Sequence, residues 1–111
     1  MASLGSLPTT SIYSTWSENV EVFSIDDDTL YDFSGITEIT LKLQDPLTRF
    51  DELTLTMSGG GISLPAPGVI QWRAEKGLMG TLSPKTYKAI LLLEDDTDTV
   101  ALILGPVSVV E

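Results

Sequence analysis

Apolar residues recur at every second position through much of this chain, and that period constrains the fold more than any other feature. In the stretch TEITLKLQ, residues 37–44, Ile39, Leu41 and Leu43 fall on one side while Glu38, Thr40, Lys42 and Gln44 fall on the other. Successive side chains of a strand point to opposite faces, so this segment is a strand with one buried and one wet face. Glu52 to Met57 follows the same rule, with Leu53, Leu55 and Met57 inward. Ile70, Trp72 and Ala74 alternate against Gln71 and Arg73, and Trp72 is expected in the core. Tyr87, Ala89, Leu91 and Leu93 face one way and Lys88, Ile90 and Leu92 the other. That second set, with Ala101 and Ile103 in the last strand, is too apolar for a fully wet face and is expected to be covered by a partner.

Turn chemistry separates these runs. Asp26-Asp27-Asp28 stops the strand that begins at Glu18, Gly35 closes the next loop, and Asp45-Pro46 starts a turn. Ser58-Gly59-Gly60-Gly61 reads as a glycine hairpin, Pro65, Pro67 and Gly68 end the short strand holding Ile62 and Leu64, and Glu94 to Asp98 is an acidic hairpin turn. Residues 75–84 hint at helix, but Gly77, Gly80 and Pro84 hold it to a turn or two. Runs spaced like this, with no convincing amphipathic helix, predict an all-β fold: an antiparallel immunoglobulin-like β-sandwich of about seven strands. A small closed barrel is the competitor. Residues 1–17 read as an extended N-terminal arm and 18–111 as the sandwich. The arm holds Leu4, Leu7, Ile12, Tyr13 and Trp16. Either Tyr13 and Trp16 begin the first strand and pack on their own core, or they anchor the arm on a neighbouring subunit.

Composition narrows the chemistry. A chain of 111 residues suits one domain, with 42% hydrophobic and 20% charged residues. The longest nearly uncharged stretch, Val100 to Val110, carries Gly105 and Pro106 and is too short to cross a bilayer as a helix. The first sixteen residues lack the basic start and apolar run of a secretory signal, so synthesis in a cytoplasm is expected. Cysteine and histidine are both absent, which removes disulfides, thiol nucleophiles, the usual neutral-pH base and the commonest zinc ligands. Sixteen acids against six bases give a formal charge of −10. That field repels phosphate backbones and anionic lipid surfaces, so neither nucleic acid nor membrane is an expected partner.

No constellation in the sequence assembles a catalytic, cofactor or metal site. Asp26-Asp27-Asp28 and the acids of 94–98 offer oxygen ligands of the kind calcium takes, but without the spacing, glycine and distal glutamate of a calcium loop they read as solvated turns. A glycoside hydrolase needs two carboxylates across a cleft, for which the domain has little room, and the acids lie in turns or on outward faces. Gly59-Gly60-Gly61 lacks the lysine and following helix of a phosphate loop. Arg73 and Trp72, as strand neighbours, point to opposite faces and do not share a site.

The order Asp32-Phe33-Ser34-Gly35, the strand ITEITLKLQDP, LTLTMSGGGISL, Gly68-Val69-Ile70-Gln71-Trp72, Thr86-Tyr87-Lys88 and closing Gly105-Pro106-Val107-Ser108-Val109 resembles a small immunoglobulin-like domain of tailed-bacteriophage structural proteins. It is similar to the N-terminal domain of upper baseplate proteins and to tail-fibre adaptor modules, over roughly Val20 to Glu111; Phe33-Ser34 stands where those domains carry leucine-threonine. The resemblance implies a non-enzymatic virion structural protein that stands alone as a module and acts in a symmetric assembly with other virion proteins, as a homo-oligomer or hetero-assembly. Capsid decoration, head-tail joining and carbohydrate binding at a host-facing tip are its alternatives. The interface candidates are Tyr13 and Trp16 in the arm and Ile90, Leu92 and Ile103 on the outer face.

Overall fold

The computed structural model describes residues 2–3, 9–24 and 29–111, without the side chains of Ala2, Ser3, Phe23, Ser24 and Ile103. Leu4, Leu7 and the Asp26-Asp27-Asp28 run lie outside the described residues. The elements in chain order are β1 (Ala2–Ser3), β2 (Thr10–Ser11), β3 (Trp16–Glu21), β4 (Phe23–Ser24), β5 (Glu38–Gln44), β6 (Asp51–Thr56), β7 (Ile62–Ala66), β8 (Val69–Ala74), α1 (Lys76–Met79), β9 (Lys85–Glu94) and β10 (Thr99–Val110). They build a five-stranded sheet of order β2-β10-β9-β5-β6, a three-stranded sheet of order β3-β8-β7 and the two-residue pair β1-β4. The fold is therefore all-β, as the period-two pattern predicts, and the described residues form ten strands that range from two residues to the twelve of β10, rather than about seven.

The alternations of β5, β6, β8 and β9 place their inward sets in the core. Ile39, Leu41 and Leu43 of β5 meet Leu53 and Leu55 of β6 and Tyr87, Ala89, Leu91 and Leu93 of β9 on the inner face of the larger sheet, all buried. The smaller sheet contributes Trp16, Ile62, Ile70, Trp72 and Ala74. Trp16 and Trp72 contact edge to face, ring centres 5.5 Å apart at 66°. That geometry sets the positive rim of one ring against the negative face of the other. Each ring buries well over 100 Å² by the usual measure, so the pair is a large share of the apolar surface removed from water. Among the described residues no helix is long and apolar enough to cross a membrane.

Three sequence readings need correction. The glycine run is a crossing rather than a hairpin: β6 is the edge of the larger sheet and β7 the edge of the smaller. Gly60 takes φ +89°, and Gly61 donates to the Thr56 carbonyl at 3.1 Å while accepting from Arg73 N–H at 2.9 Å, which ties the corner to both sheets. Leu64, expected inward beside Ile62, is exposed. Pro65 cannot donate to a ladder and the β7–β8 register breaks between Ser63 and Ala66, so the alternation ends there.

The third correction concerns the arm. Thr10 and Ser11 pair in parallel with Val109 and Val110 of β10, and Ile12 N–H donates to the Val110 carbonyl at 2.9 Å. Ile12 packs against the core and Trp16 opens β3 opposite Ala74. Thr10, Ser11 and Trp16 thus belong to the sheets and Ile12 packs on this same chain's core, whereas Tyr13 between them is exposed. The parallel pairing also departs from a purely antiparallel sandwich.

Candidate interaction surface

The β5–β6 connection, DPLTRF, is a short loop closed at its base by a set of hydrogen bonds. Asp45 Oδ1 accepts from the N–H of Leu47 at 2.8 Å and of Thr48 at 3.3 Å, so the carboxylate caps the turn that follows it. Pro46 has no N–H to satisfy and a preset φ. The Arg49 N–H reaches the Asp45 carbonyl at 2.7 Å, and Asp45 N–H closes the stem on the Phe50 carbonyl at 3.0 Å. Phe50 N–H donates to Thr48 Oγ1 at 3.3 Å. Arg49 sits at φ +63°, the left-handed region that arginine enters only where its surroundings hold it.

Side chains of the sheet fasten this loop from below. Asp45 is buried, and its second oxygen accepts from the Lys85 ammonium of β9. That hydrogen bond first, then the Leu47 N–H, holds the Asp45 carboxyl below the ordinary value of 3.8, and the same Asp45–Lys85 bond holds the Lys85 ammonium above its own. Lys85 Nζ also lies 5.3 Å from the centre of the Tyr87 ring. On the other stem, Asp51 accepts from Gln44 Nε2 at 2.8 Å and pairs with Lys42 Nζ at 3.1 Å, and these two bonds lower its carboxyl in turn.

The loop displays what such bracing is suited to display. Leu47 is 92% exposed and Phe50 69% exposed, the former with almost no contact to its own domain. Arg49 and Lys88, with Gln44, Asp45 and Pro46, line one depression at its foot. Pro46 and Lys88 also border an apolar groove completed by Thr86, Tyr87, Gly105 and Pro106. Four of the six basic residues, Lys42, Arg49, Lys85 and Lys88, gather at this end of the larger sheet. Lys42 and Lys85 are paired; no ion pair engages Arg49 or Lys88 among the described residues.

The opposite end of that sheet is acidic. Glu38 and Glu94 are cross-strand partners, and Asp95, Asp96 and Asp98 follow in the β9–β10 turn. Asp95 Oδ1 accepts from Thr97 N–H at 2.8 Å and Asp98 N–H at 2.7 Å, which orders the turn and lowers that carboxyl. Among the described residues no group of acids is placed to hold a metal ion.

The sequence-derived candidates scatter. Tyr13 is exposed in the turn after β2, whereas Trp16 is 2% exposed in the core, so the two do not form a joint anchor and Trp16 has no free surface to offer a neighbour. Ile90 and Leu92 are half-buried on the outer face, where Lys42 and Thr40 of β5 stand opposite them. Ile103 is opposite Ile90 in the backbone register. Leu47 and Phe50 escaped the sequence reading, although the signal was there: two large apolar residues inside a turn that begins Asp-Pro serve neither the alternation nor the turn.

No family model matches the sequence and no curated protein matches it. Among solved structures, the chain is similar to an endo-β-1,4-mannanase from Thermotoga petrophila, at 14% identity and a TM-score of 0.57. The likeness covers 93% of this chain and 18% of the mannanase chain, so it is a likeness of fold to one part of a much longer protein. It corrects the expectation of a non-enzymatic chain. The same architecture occurs within an enzyme, and the lack of histidine and cysteine in an all-β scaffold is no ground for setting enzymes aside.

Proposed function

We propose that the chain is an immunoglobulin-like structural module of a bacteriophage particle, a tail, baseplate or fibre-attachment adaptor that works by docking onto other virion proteins through the Asp45–Phe50 loop. The finer fold reading is supported by the strand order β3-β8-β7 against β2-β10-β9-β5-β6, with the first strand of the larger sheet parallel to the last. It is supported also by Tyr87, near the start of β9, whose hydroxyl donates to the Ser83 carbonyl at 2.7 Å, the corner bond such sandwiches use.

The observation that carries the docking reading is the exposure of Leu47 and Phe50 on a pre-braced loop. Apolar side chains cost little conformational entropy on binding when their backbone is already held, and such anchors dominate interface energetics. Mass spectrometry and antibody labelling of purified particles from cells carrying the gene provide the test. The chain is expected as a stoichiometric component, and its absence from particles refutes the proposal. Capsid decoration and head-tail joining differ only in where the label falls.

A second reading, glycan binding, is favoured by the mannanase neighbour, where this architecture accompanies a polysaccharide-degrading chain. Affinity electrophoresis through β-1,4-mannan decides it: unretarded migration removes this reading.

A further inference from the structure

The two ends of the five-stranded sheet are unlike, and each offers what the other lacks. At the loop end Asp45 and Asp51 are consumed by Lys85 and Lys42, which leaves Arg49 and Lys88 without an ion pair among the described residues, at the same end as Leu47 and Phe50, with Glu52 and Glu111 as further acids toward Lys85. At the hairpin end Glu38, Glu94, Asp95, Asp96 and Asp98 stand together with no basic residue in the turn, and Val100, the first apolar residue after it, is 43% exposed. Strands run the length of the sheet between them, from Glu38 to Gln44 in β5 and from Lys85 to Glu94 in β9.

We infer that a second copy of this chain occupies the loop end, docking its 94–98 hairpin so that Asp96 and Asp98 face Arg49 and Lys88 while Leu47 and Phe50 cover Val100. The inference rests on the reading of the chain as an assembly module. The occupant is a like copy because the complementary surface, acidic with an apolar shoulder, is carried by the chain itself, and like-end contacts would set acid against acid at the hairpins or Arg49 and Lys88 against their own copies at the loops. Asp95 stays with its own turn, since its carboxylate is engaged there. A contact between unlike ends is heterologous: each copy keeps one free end, and repetition gives a ring if the rotation closes and a filament if it does not. Opposed fields also steer the encounter, so association weakens with salt.

Sedimentation velocity and light scattering on the whole chain test it. The average mass is expected to rise with concentration and to fall as salt is added. Arg49→Asp with Lys88→Glu, and separately Asp96→Lys with Asp98→Lys, should each weaken self-association roughly tenfold or more. All four positions are exposed or half-exposed, and aspartate tolerates the left-handed backbone at position 49, so both variants keep the fold by circular dichroism. Mixed together, the two variants should assemble again, because each new charge meets its opposite. A chain that stays monomeric at low salt, a hairpin reversal without effect, or a mixture that fails to assemble overturns the head-to-tail contact. A monomeric chain that is nevertheless found in purified particles overturns this contact alone, whereas a self-associating chain absent from particles supports it while removing the virion reading.

Discussion

Replacing Tyr87 by phenylalanine removes one oxygen and leaves the buried ring where it was. Tyr87 is 1% exposed, its hydroxyl donates to the Ser83 carbonyl at 2.7 Å, and the Lys85 ammonium approaches the ring at 5.3 Å. The ring, its packing and the cation contact survive the substitution. What goes is one hydrogen bond, worth about 0.5–1.5 kcal/mol net, and since Ser83 is exposed its carbonyl can turn to water, which holds the loss near 1 kcal/mol. Unfolding entropy of about 2.1 cal/mol/K per residue over 111 residues is about 0.23 kcal/mol/K, so the melting temperature should fall by about 4 °C. pH adds a second readout. Burial raises the Tyr87 hydroxyl above its ordinary value of 10.0, with Lys85 and the Ser83 bond opposing in part. A raised value means stability that is fully present below pH 10.0 and lost as pH climbs through the folded-state value, and only the wild type has it to lose. Differential scanning calorimetry on both proteins should therefore show a gap that is constant through neutral pH and narrows in the alkaline range. Equal melting temperatures at neutral pH, or a gap that widens with alkali, would refute the role given to this bond.

Asp45→Asn keeps the shape of the loop base but removes the charge that Lys85 meets; because the carboxyl is lowered from 3.8, the stability it contributes is present above that pH and lost as pH falls through the lower folded value. Urea midpoints of wild type and variant should differ at neutral pH and converge in acid, and a pH-independent difference would count against the ion pair. Gly68→Ala and Gly60→Ala both place a side chain at positive φ, but a Cβ at Gly68 would sit 2.7 Å from Leu30 Cβ whereas at Gly60 it meets nothing within 4 Å. Chemical denaturation should find Gly60→Ala about 1 kcal/mol less stable than wild type and Gly68→Ala distinctly worse; the reverse order would contradict the packing at β7–β8. Leu41→Ala, on the inner face between β6 and β9, should cost about 2–5 kcal/mol by the same measurement, and a loss below 1 kcal/mol would mean that this face is not the core.

Period two along β5, β6, β8 and β9 was legible without coordinates, because in a strand the side to which a residue points follows from its parity, and parity is a local property. The inward sets Ile39-Leu41-Leu43 and Ala89-Leu91-Leu93 and the burial of Trp72 follow from it directly. Which strands lie beside one another is not local. Nothing in Ser58-Gly59-Gly60-Gly61 tells a hairpin from a step between sheets, since glycine permits either, and the choice is made by whether β7 gains more by pairing with β6 or with β8. The same holds for Thr10 and Ser11, whose partner is the far end of the chain, and for Trp16, whose burial depends on Trp72 arriving opposite it. The candidate surface was hidden for a related reason. Exposure of Leu47 and Phe50 is a statement about what fails to pack on them, and the clustering of Lys42, Arg49, Lys85 and Lys88 requires β5 and β9 to lie antiparallel in register. Sequence alone thus determined which residues seek the interior; tertiary structure decided their neighbours, and with them which apolar and charged groups remain at the surface, because burial free energy depends on area removed from water and not on the order of the chain.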